Sequence, residues 1–151
     1  MEQSVTQPAR FPWKQEYNTG NDLIDSQHKR LLELASILEL AVMCGKGYQV
    51  IESAFLALAK YTNEHFYAEE RFWTHNRSSL IDAHRQEHSA ISEELAGMRH
   101  QTPNGYVFCT PNELANWVEQ RLIRHFVSED QKAHAELAKP SGSTKRLAAT
   151  R

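Results

Sequence analysis

The chain has 151 residues, 40% hydrophobic and 24% charged, with a formal charge of −2; that suits one domain with a self-sufficient core and excludes the basic field of a nucleic-acid binder or a protein held on an anionic membrane. Two cysteines, Cys44 and Cys109, provide neither a disulfide framework nor a Cys-x-x-Cys zinc pair. No apolar run approaches the ~18 residues of a membrane span, and the opening MEQSVTQPAR lacks a signal peptide's apolar core, so a cytoplasmic location is expected.

Residues 1–21 carry Pro8, Pro12 and Gly20 and few periodic apolar positions, which predicts an extended N-terminal arm. Its Phe11, Trp13 and Tyr17 are expected to pack across the end of the domain. From about Asp22 to Cys44, the positions Ile24, His28, Leu31, Ala35, Leu38 and Val42 recur in a 4-3-4-3-4 rhythm, the seam of an antiparallel bundle. Gly45-Lys46-Gly47 ends this helix with residues that tolerate the left-handed region. A second helix, about 48–75, continues through Ile51, Phe55, Leu58, Thr62, His65, Glu69 and Phe72. Asn76-Arg77-Ser78-Ser79 suits a turn and a new helix start. The third helix, about 79–101, runs through Ile81, His84, His88, Ile91, Leu95 and Met98. Residues 101–111 contain two prolines and a glycine and read as a loop; no segment reads as a strand. A fourth helix, about 112–138, turns Leu114, Val118, Leu122, His125, Ala133 and Leu137 inward. Residues 139–151 are polar and aperiodic, a tail or linker. The predicted fold is all-α, an antiparallel up-down-up-down four-helix bundle over 22–138.

The seams carry a second message. His65 with Glu69, and His84 with His88, are spaced i,i+4, so each pair stands on one face of its helix. With His28 and His125, five of the eight histidines point inward; His75, His100 and His134 fall near helix ends and are assigned to solvent. Asp130 lies five residues past His125, about 140° around an α-helix, so the two would flank the seam from opposite shoulders. One seam histidine is an ordinary core residue, but seven buried ionisable groups without partners would each cost several kcal/mol, against a total stability of ~5–15 kcal/mol. Metal ions remove that penalty. Seven ligands exceed the four of a tetrahedral zinc, and imidazoles with carboxylates suit first-row ions rather than Mg²⁺ or Ca²⁺. Two ions bridged by both acids satisfy the whole set.

Trp13…Tyr17-x-Thr19-Gly20…Ile24-Asp25-x-Gln27-His28, His65-x-x-x-Glu69, His84-x-x-x-His88 and His125-x-x-x-x-Asp130 together resemble the bacterial hemerythrins over about residues 11–137. Proteins of that family are already among the known four-helix bundles. The resemblance implies a non-haem centre of two iron ions (Fe²⁺/Fe³⁺) with an oxo or hydroxo bridge. One iron would take His84, His88 and His125; the other would take His28 and His65 and keep an open position for O₂. Glu69 and Asp130 would bridge them. Leu122 matches the family's pocket-capping leucine, and Phe126 stands where relatives often carry an aliphatic residue, which narrows the expected O₂ pocket. Asn21 replaces a common apolar residue after the Thr-Gly pair. The implied function is reversible O₂ binding as carrier, store or sensor, with NO or small anions such as azide as other ligands, and no enzymatic turnover beyond weak peroxidase or oxidase activity. The alternatives are a sensory domain coupled to an output such as a diguanylate cyclase, or to a partner protein, and a di-iron redox enzyme.

Overall fold

The computed structural model describes residues 10–103 and 105–138. The predicted tail over 139–151, and residues 1–9 of the predicted arm, lie outside the described residues. Within the rest of the arm, a single 3₁₀ turn at Gln15–Tyr17 interrupts non-helical chain. Phe11 and Tyr17 are buried and join the hydrophobic core, while Trp13 packs against it, half-buried.

Helix α1 spans Asp22–Met43, and its start is built locally. Asn21 accepts a hydrogen bond from the Ile24 N–H (3.1 Å) through its side-chain oxygen, which satisfies one of the donors a helix N-terminus leaves free. A polar residue after the Thr-Gly pair is thus a helix cap. Asp25, buried one turn in, accepts from both the Thr19 N–H (2.9 Å) and the Thr19 hydroxyl (2.8 Å), folding the preceding turn over the helix. Gly20 sits at φ +92 in that turn, where a side chain would strain the backbone.

Helices α2 (Tyr48–His75) and α3 (Ile81–Gly97) follow, α2 packing on both α1 and α3. The loop expected at 101–111, and the last turn expected of the third helix, are instead largely a β-hairpin: β1 (Arg99–Thr102) pairs antiparallel with β2 (Gly105–Phe108), Arg99 opposite Phe108 and Thr102 opposite Gly105. Gly97 ends α3 because glycine weakens a helix, Gly105 at φ +123 permits the tight return, and Tyr106-Val107-Phe108 has the aromatic and β-branched character that favours strand pairing. Strands of four residues are too short to show alternation in sequence.

The last helical segment opens with a capping box. The Thr110 hydroxyl accepts from the Glu113 N–H (3.2 Å), and the Glu113 carboxylate accepts from the Thr110 N–H (2.9 Å). Residues 111–138 then form one continuous helical rod of changing pitch: α4 (Pro111–Trp117), a wide π stretch (Val118–Ile123), a second (Phe126–Asp130) and α5 (Gln131–Ala138).

The core divides lengthwise. Leu31, Ala35, Leu58, Ile91, Leu114 and Val118 are fully buried, each side chain larger than alanine contributing ~1.5–3 kcal/mol. Toward the turn between α2 and α3 the interior becomes histidine and carboxylate. No described helix is long and apolar enough to cross a membrane.

Candidate metal centre

The polar half of the core contains His28 from α1, His65 and Glu69 from α2, His84 and His88 from α3, and His125 and Asp130 from the final rod, each at most 2% exposed. All seven sequence-predicted side chains come together. They form two overlapping clusters whose possible ligand atoms lie within 4.8 Å of one another: His84, His88 and His125 with Glu69 and Asp130, and His28 and His65 with the same two acids.

The wide turn at Phe126–Asp130 brings the last acid into place. In an α-helix, residues five apart stand about 140° apart; a π turn closes i to i+5, so both fall on one face. His125 Nε2 therefore lies 3.1 Å from Asp130 Oδ1, and the expected placement on opposite shoulders is corrected. The same change of register carries His134, one α-turn beyond Asp130, inward. It is buried edge-on against Trp73, with ring centres 4.4 Å apart, rather than in solvent as expected. Burial there holds its imidazole below the ordinary value. His75 and His100 are exposed.

Every ring turns Nε2 to the centre. His28 Nε2 is 2.9 Å from Asp130 Oδ2, His65 Nε2 3.1 Å from Glu69 Oε2, His84 Nε2 3.0 Å from Asp130 Oδ1, and His88 Nε2 3.4 Å from Glu69 Oε1. His88 and His125 set their Nε2 atoms 3.2 Å apart. Despite these separations, His28 Nε2, His65 Nε2, both Glu69 oxygens and Asp130 Oδ2 make no well-formed hydrogen bond among the described residues. Buried nitrogen and oxygen atoms crowded together without hydrogen bonds to satisfy them are the arrangement a cation relieves.

The electrostatics agree. Burial alone would neutralise Glu69, but the imidazoles of His28, His65 and His88 around it hold it well below the usual carboxylate range. Burial and the charge of Glu69 push Asp130 up; His125 and His28 outweigh them and pull it down. Burial disfavours charge on His28, yet Asp130 and Glu69 raise it to about 9. His65 stays lowered by burial, which outweighs Glu69. Without a metal, two buried carboxylates thus stay anionic by drawing protons onto neighbouring imidazoles.

Aromatic walls close the cluster. Phe126 stacks on His28 with centroids 3.8 Å apart and planes 12° apart, and Phe66 stacks on His88 at 3.9 Å and 4°. Leu122 and Phe126 are fully buried. Two contacts escaped sequence reasoning: Gln27 Oε1 lies 2.6 Å from His65 Nδ1, and Glu70 Oε1 lies 3.0 Å from His88 Nδ1. Each neighbours a seam residue in sequence but points about 100° away along its own helix, so spacing offered no signal for either.

The sequence profile of the Hemerythrin HHE cation binding domain matches residues 19–137. The chain is 28% identical over 122 residues to a protein of Pseudomonas paraeruginosa (strain PA7) called bacteriohemerythrin, covering 81% of this chain and 78% of that one. It is 28% identical over 131 residues to a bacteriohemerythrin of Stenotrophomonas maltophilia (strain R551-3), covering 87% and 83%. A hemerythrin-like protein of Naegleria gruberi is 22% identical over 129 residues, covering 85% and 95%.

Proposed function

Because the chain belongs to the hemerythrin HHE cation-binding family, we propose that it binds O₂ reversibly at a non-haem di-iron centre. The observation that carries this reading is the division of the buried cluster into a three-histidine and a two-histidine group that share Glu69 and Asp130. His84, His88 and His125 would hold one iron, His28 and His65 the other, and the two acids would bridge them. Two irons held there with a solvent-derived oxo or hydroxo bridge would supply the pair of electrons that reversible O₂ binding requires.

The chain's own residues set the terms of that chemistry. The three-to-two division of imidazoles would leave an ion held by His28 and His65 with an open position. Phe126, stacked on His28, and the fully buried Leu122 would exclude the water that would discharge a bound ligand. Alternation of the helices is the simplest way to bring His65/Glu69 and His84/His88 to one depth, on either side of the short turn at 76–80. The same open position suits NO or azide, and an O₂-sensing role would require an output domain or partner protein. A cytoplasmic site of action fits the same reading.

Metal analysis and absorption spectroscopy test the proposal together. Two irons per chain are expected, with a charge-transfer band that appears when the reduced protein meets air and disappears under vacuum. One ion per chain, mainly zinc, or a band that never reverses overturns it.

A further inference from the structure

The two imidazoles pinned from behind belong to different metal groups, and their pins differ in charge. His65, of the two-histidine group, faces the neutral amide oxygen of Gln27 at 2.6 Å; His88, of the three-histidine group, faces the carboxylate of Glu70 at 3.0 Å. Both partners accept hydrogen bonds, so each Nδ1 carries the ring proton and each Nε2 turns a lone pair to the cluster. Among the described residues, Nδ1 of His28, His84 and His125 has no hydrogen-bond partner. The contrast between Gln27 and Glu70 is therefore the clearest difference in backing between the two groups. Glu70 reaches outward as well: its side chain is 25% exposed, and with His88, Asn63 and Tyr67 it lines an open cavity of about 210 Å³.

Resting on the di-iron reading above, we propose that Glu70 and Gln27 are positioning residues that make the two irons unequal, the first favouring the ferric state at the three-histidine ion and the second leaving the two-histidine ion easier to hold ferrous. A carboxylate behind an imidazole draws on its N–H, gives the ring partial imidazolate character and strengthens its donation to the more highly charged metal. A neutral amide fixes the same tautomer and orientation with much less of that effect. An added one-electron donor, such as a reduced viologen, gives up one electron and converts one Fe³⁺ to Fe²⁺, and this arrangement directs that electron first to the ion with the vacancy. O₂ thus meets a site whose open metal is the readier of the two to stay reduced.

A charge exchange tests the idea. Glu70→Gln keeps an accepting oxygen and removes the charge; Gln27→Glu keeps the acceptor and adds one; a third protein carries both changes. Iron per chain is measured first, because a wild-type protein without two irons defeats the di-iron reading rather than this one. In diferric proteins with two irons, reductive titration followed by ⁵⁷Fe Mössbauer spectroscopy reports both the potential and which ion accepts each electron. Glu70→Gln is expected to raise the potential of the second step, and Gln27→Glu to lower that of the first. Each should change the ferric/ferrous affinity ratio about tenfold, the low end of the usual effect of such outer partners, or about 59 mV for one electron. The double exchange should bring the steps together or reverse their order. Unchanged midpoints in all three variants, or two electrons entering together at one common potential in all four proteins, overturn the inference.

Discussion

Removal of the metal should destabilise this fold far more than a ligand's departure from a surface pocket would. In the bare cluster, His28 Nε2, His65 Nε2, both oxygens of Glu69 and Asp130 Oδ2 are buried without a well-formed hydrogen bond among the described residues. Each such atom costs about 1–3 kcal/mol, so even the lower figure sums to roughly 5 kcal/mol, comparable with the entire ~5–15 kcal/mol stability of a typical domain. For a chain of this size, 1 kcal/mol moves the thermal midpoint by about 2–4 °C, which gives an expected fall of about 10–20 °C. Circular-dichroism or calorimetric melts of the iron-loaded protein and of protein stripped with a chelator under reducing conditions measure it. Restoring Fe²⁺ without air should restore the midpoint. Midpoints within a few degrees of each other would refute the reasoning, because the buried atoms would then have found other partners at little cost.

The remaining tests concern pH, packing and thiols. In the metal-free protein, His28 is raised to about 9 and His84 lies above its ordinary 6.5; the stabilisation these protons provide is complete below about pH 6.5 and is lost as pH rises through 9, so denaturant midpoints should fall across that window. Glu69 and Asp130, both held low, do not titrate within it. Leu122→Ala, at a fully buried position, should cost about 2–5 kcal/mol in urea unfolding and shorten the lifetime of the oxygenated form, whereas an unchanged lifetime would leave Leu122 a packing residue only. Burial pushes the Cys109 thiol up to about 11 while Cys44 is exposed, so brief alkylation at pH 8, read by peptide mass spectrometry, should mark Cys44 first.

Local periodicity is what made so much legible in the chain itself. A seam position is defined by residues three and four apart on one helix, and His65/Glu69 and His84/His88 keep that spacing whatever the helices later pack against. Helix ends were likewise local: the expected start at Asp22 and stop near Gly45 agree with Asp22–Met43. Chemistry then made seven inward ionisable groups implausible without a metal. Tertiary structure decided the rest. The wide turn at Phe126–Asp130 exchanges one hydrogen-bond register for another, a small energy difference that packing settles, and it moved both Asp130 and His134. The hairpin at 99–108 depends on pairing between strands, which no single strand encodes. Glu70 and Gln27 became partners of His88 and His65 only because neighbouring helices cross at that height. A side chain's spacing belongs to its own helix; what stands behind it belongs to the helix beside it.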